Sequence, residues 1–154
     1  MRVWSPGDLA IADSRVRIVV TALKRLGYRT SVRRFENYGA YFGALAAGGR
    51  PQAGYFPWSV DYQAPSAIVD PQLSCGGEVN FGRFCDRRND ALAARAAARQ
   101  TDDPRAAYDL WAEVDRRLTD AAAVVPLTSS IEVAFVSERV RNLNAGGLSQ
   151  VWVR

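Results

Sequence analysis

The first 58 residues alternate between short runs of β-formers and runs at helical spacing, joined by connections of a few residues. This constrains the fold more than anything else in the chain. Arg2-Val3-Trp4 reads as a strand stopped by Pro6. Val16, Val19, Val20, Leu23 and Leu26 recur at three, four and seven, which predicts a helix over Arg15–Leu26 with Asp13 or Ser14 as its cap and Gly27 just past its end. Tyr28–Phe35 is rich in β-formers and predicts a strand, Glu36–Ala47 a glycine-interrupted helix, and Gln52–Trp58 a third strand. A β-α-β-α-β order with short connections implies an α/β fold with a mixed, mainly parallel sheet flanked by helices.

The remaining chain reads differently. Residues 59–87 form a long loop with one short helix expected at Ser66–Leu73. Asn89–Arg99 is an alanine-rich helix, and Asp102 or Asp103 caps the next, with Pro104 in its first turn. That helix is expected to run to about Asp120, with Ala107, Leu110, Trp111, Val114 and Leu118 in one apolar stripe. The stripe is expected to bury against the sheet together with Val19 and Leu23. Strands are expected at Val124–Leu127, Glu132–Val136 and Val151–Val153. Length and composition fit one domain over residues 1–154.

Charge and composition narrow the function. Residues 1–60 carry nine basic and three acidic side chains, whereas residues 61–154 carry eleven and thirteen. The arginines are scattered rather than clustered, so solvated faces explain them better than a nucleic-acid surface does. The chain has no histidine, which excludes Ser-His-Asp and Cys-His catalysis and histidine zinc sites. Cys75 and Cys85 are the only cysteines, too few for a four-cysteine metal site and too far apart for a C-x-x-C redox motif. No glycine-rich phosphate loop is present, and the acidic pairs fall on helix caps and faces. No catalytic residue, metal or cofactor is expected. No run of 18 apolar residues suggests a membrane span, and the N-terminus lacks the apolar core of a signal peptide.

Trp58-Ser59-Val60-Asp61-Tyr62 is the most informative local motif. Asp61 follows an apolar strand, at the end where open α/β sheets bind ligands. A carboxylate between Trp58 and Tyr62 can hold an ammonium group, with the rings excluding water. The same residue can equally cap a turn while the rings pack inward. Asn80 and Phe81 precede Cys85, and the Asn80 amide can bond a ligand backbone or brace its own loop.

These residues, in this order, resemble the second, C-terminal lobe of the oligopeptide-, dipeptide- and nickel-binding proteins of ABC importers, the extracellular solute-binding family 5. The likeness continues through Ala107-Tyr108-Asp109-Leu110-Trp111 and Val124-Val125-Pro126-Leu127. It implies a lobe of a type II periplasmic-binding-protein fold, with residues from about 142 to 154 belonging to the first lobe. Asp61 would pair with the α-amino group of a peptide, Trp58 and Tyr62 would flank it, and Asn80 and Phe81 would lie at the same site. Cys75 and Cys85 match cysteines that form a disulfide in many members. The partners implied are a small peptide or other small solute, the missing first lobe and, through the full receptor, the importer's membrane subunits, in an extracytoplasmic compartment. Family members are several times longer than 154 residues, so a truncated receptor fragment is the competing expectation. An enzyme or a nucleic-acid-binding module is a more distant one.

Overall fold

The computed structural model describes residues 1–127 together with Phe135, Ser137 and Arg139. The chain divides into two compact units, Met1–Trp58 and Ser59–Arg154.

The first unit is built on a three-stranded parallel sheet in the order β2-β1-β3. Strand β1 spans Arg2–Pro6, β2 Ser31–Phe35 and β3 Ala53–Gly54. Val3 pairs with both Val32 and Ala53, so the central strand is covered on both edges. Helix α1 covers Ala10–Arg25 and α2 covers Tyr38–Ala46. Val3, Trp4, Ala12, Val16, Phe35, Tyr41 and Leu45 are buried. Trp4 and Phe35 meet at 5.0 Å, and Phe35 and Tyr41 edge-on at 5.5 Å.

Three boundaries depart most from expectation. Helix α1 starts more than a turn early, at Ala10, and Leu9 at its N-cap supplies no side-chain cap. Asp13 instead pairs with Arg34 at 2.9 Å, and the Ser14 hydroxyl donates to the Ile11 carbonyl. Burial of Ala12 on the same face as Val16 accounts for the added turn. Strand β2 starts at Ser31 because Gly27 and Tyr28 close α1. Their N–H groups donate to Lys24 and Leu23, with Gly27 at a φ of 87°. Strand β3 has two residues where seven were expected, and Pro57, without an N–H, cannot extend the ladder. Gly49 packs on the Trp4 ring, where a Cβ would lie 2.5 Å from ring carbons.

The second unit is helical in its described part. Helix α3 spans Ser66–Leu73, α4 Arg87–Arg99 and α5 Pro104–Asp120. Asp103 caps α5 by accepting from Ala106 N–H at 3.1 Å, with Pro104 at its start, as its spacing predicts. Asp86 caps α4 by accepting from Arg88 and Asn89 N–H. The α5 stripe is buried except for the partly buried Leu110, but its cover is Leu92, Ala93 and Ala96 of α4 and Val69 of α3. Val19 and Leu23, its expected partners, are half-buried in the first unit. Val124–Leu127 is exposed irregular chain and pairs with no strand among the described residues. The strands expected at 132–136 and 151–153, and the tail 142–154, lie outside the described residues apart from Phe135.

Asp86 also accepts from Arg117 of α5 at 2.6 Å. That hydrogen bond, followed by those from Arg88 and Asn89, holds its carboxyl below the ordinary carboxylate value. A depressed folded pKa gives stability that is present above the unfolded value and lost as pH falls through the folded one. Asp86→Asn keeps a capping oxygen but loses the charge. Its melting temperature should trail the parent's by a constant gap above about pH 5, and the gap should close in acid. A gap independent of pH would show that the ion pair contributes nothing.

Candidate functional site

In the first unit, the chain leaves the carboxyl ends of the strands carrying aromatic rings. Tyr38 and Phe42 lie one turn apart on α2, which follows β2, and Phe56 and Trp58 follow β3. Phe42 and Phe56 stack at 6.3 Å and 25°, and Phe56 and Trp58 at 6.1 Å and 24°. Tyr38 extends the row to Phe42 at 6.1 Å. Trp58 is thus one member of a half-buried aromatic row. Of these rings only Trp58 stands out in the sequence motif; the i, i+4 pair Tyr38–Phe42 and the alternation Phe56-x-Trp58 are the signals for the rest of the row. Beside the row, the Arg15 guanidinium donates to the Tyr55 hydroxyl and lies 5.2 Å from that ring's centre.

In the second unit, Asp61 is exposed, and no hydrogen bond or ion pair engages its carboxylate among the described residues. Tyr62, 49% exposed, donates its hydroxyl proton to Ser66 Oγ at 3.1 Å, in the first turn of α3. Asp61 and Tyr62 therefore sit in the run entering α3.

Asn80, Phe81 and the cysteines share one closed loop. Cys75 and Cys85 are bonded, with Cα atoms 4.2 Å apart. Asn80 Nδ2 donates to the Ser74 and Phe84 carbonyls at 2.7 and 2.6 Å, and its Oδ1 accepts from Phe84 N–H at 3.2 Å. The amide therefore directs both of its N–H bonds to its own loop. Phe81 is half-buried. The loop is anchored on both sides. Cys75 N–H donates to Asp90 Oδ2 of α4 at 3.2 Å, and Val79 N–H to the Pro71 carbonyl of α3 at 3.0 Å. Burial, and then the charge of Asp90, raises the Asp70 pKa. Replacing both cysteines by serine should lower stability by about 2–3 kcal/mol, the chain entropy of a ten-residue loop, read by denaturant titration. A loss below about 0.5 kcal/mol would mean the denatured chain already keeps this loop closed.

Among the described residues, no three metal-ligating side chains gather, and no helix is long and apolar enough to cross a membrane.

No protein-family model matches the sequence, and no curated protein matches it either. Solved structures do. The Escherichia coli murein tripeptide binding protein MppA superposes with a TM-score of 0.69 at 16% identity, over 80% of this chain and 23% of its own. The periplasmic EDTA-binding protein EppA superposes with a TM-score of 0.63 at 19% identity, over 80% of this chain and 22% of its own. The chain thus spans about a quarter of the length of either. At these identities the likeness establishes architecture alone: this chain has an α/β fold, a small parallel sheet flanked by helices, shared with the matched parts of MppA and EppA.

Proposed function

We propose that the chain is a solute-contacting lobe of an ABC-importer receptor, binding a small peptide through its free α-ammonium group and catalysing no reaction. The observation that carries this reading is Asp61. Its carboxylate is exposed and unengaged among the described residues, within Trp58-Ser59-Val60-Asp61-Tyr62, on a fold shared with a tripeptide-binding protein. Asp61 takes the ammonium group, and Tyr62, its neighbour in the sequence, supplies ring surface to the peptide; Trp58 offers ring surface in the first unit and Phe81 in the second. Asn80 holds the loop that carries Phe81. The rest of the receptor supplies the opposite wall, and closing it over the solute gives the importer's membrane subunits a shape to read. The Cys75–Cys85 bridge suits an extracytoplasmic setting. A polyanionic chelate is the second reading. It is favoured by the nine basic against three acidic residues in 1–60 and by the likeness to an EDTA-binding protein.

Calorimetry on the complete receptor tests the choice. A free-amine tripeptide should bind, and its N-acetylated form should bind at least about 30-fold more weakly, the effect of removing one buried charge partner. Equal affinity for both forms removes the ammonium role. Tight binding of EDTA with none of the tripeptide selects the second reading.

A further inference from the structure

We infer that Asn80 is a positioning residue: a hydrogen-bonded staple that acts in parallel with the disulfide and makes the bridge harder to reduce. The geometry carries this. Asn80 Nδ2 joins the carbonyls of Ser74 and Phe84, and Oδ1 takes the Phe84 N–H. Ser74 and Phe84 immediately precede Cys75 and Cys85. One side chain therefore spans the same gap as the sulfur–sulfur bond. The role demands this residue type. Asparagine offers two donors and an acceptor on a short planar group, aspartate has no donor, and serine has one.

The loop needs holding. Arg83 sits in the left-handed region at a φ of 54°, which disfavours a non-glycine residue. Gly77 lies against the backbone of α3, where a Cβ would come within 2.4 Å of the Pro71 carbonyl oxygen. A chain free of the staple would relax away from both.

The consequence for the bridge follows from linkage. Reduction by dithiothreitol transfers two electrons and two protons. The Cys75–Cys85 bond breaks, two thiols form, and dithiothreitol closes to its cyclic disulfide. If Asn80 still joins residues 74 and 84 in the dithiol form, each thiol faces the other at high effective concentration, and reoxidation is favoured. The coupling is reciprocal, so the bridge strengthens the Asn80 bonds by the same factor. The staple concerns loop closure and stands apart from what the loop binds.

The test is a redox titration of the full chain in defined ratios of reduced and oxidised dithiothreitol, read by thiol alkylation. Asn80→Ala should raise the equilibrium constant for reduction on the order of tenfold, about 30 mV in potential. Asn80→Asp, which sets a carboxylate against two carbonyls, should shift it at least as far. Leu110→Ala, outside the loop, is the control for general destabilisation and should leave the constant in place. The Phe84 amide should stay protected from hydrogen exchange after reduction of the parent and lose protection in reduced Asn80→Ala. An unchanged constant in both Asn80 variants overturns the inference. So does an equal shift in the Leu110 control, or loss of Phe84 protection in the reduced parent.

Discussion

Trp111→Ala should lower the stability of the chain by about 3–5 kcal/mol, the range for removing a large buried aromatic side chain. Trp111 is only 6% exposed, at the centre of the cluster formed by Leu92, Ala93, Ala96, Val114 and Val69. The alanines of α4 are already small and cannot expand into the space, so most of the cavity should persist. Its indole N–H donates to Gln100 Oε1 at 3.1 Å, so truncation also strands a polar group at the end of α4. A domain of this size has a total stability of about 5–15 kcal/mol, so the variant should keep only a small margin, and urea titration should show the midpoint collapse. Trp111→Phe keeps much of the buried area and should cost less. A Trp111→Ala loss below about 1 kcal/mol would show that α4 and α5 do not pack as described.

Asp61→Asn should weaken binding of a free-amine peptide to the complete receptor by about 2–5 kcal/mol, because a desolvated ammonium group would lose its charge partner. The same substitution should leave an N-acetylated peptide unaffected, which separates loss of the ion pair from damage to the site. In this chain alone the carboxylate is exposed, so water and salt screen it and affinity should be millimolar or weaker. Closure by the rest of the receptor is what makes the pair strong, since the same charges interact more strongly once water is excluded. If Asp61→Asn binds the free-amine peptide as tightly as the parent, the ammonium assignment fails.

The elements legible in the sequence are those whose signals are local. Helix α5 begins at Pro104 behind an Asp103 cap and ends at Asp120, as its cap, proline and apolar period indicate. Capping, proline placement and the 3.6-residue period act within a turn or two, so the sequence carries them almost unaided. The parallel β-α-β-α-β order was legible for a related reason, since short connections leave few other arrangements. The exposed Asp61 and the bonded cysteines were singled out from motif order, but their surroundings were not.

What tertiary structure decided is where each apolar face finds its cover and where each strand finds an edge. The period of α5 shows that Trp111, Val114 and Leu118 share a face, yet it is equally satisfied by a sheet or a helix, and α4 is what covers them. The β-rich segments 28–30 and 56–58 have strand composition but lie outside the strands, and Val124–Leu127 lacks a strand partner among the described residues. A strand is stabilised by hydrogen bonds to a neighbour that composition cannot name. Asn80 shows the same limit at the level of one side chain. Composition names no partner for its amide, and only the folded backbone brings the Ser74 and Phe84 carbonyls within its reach.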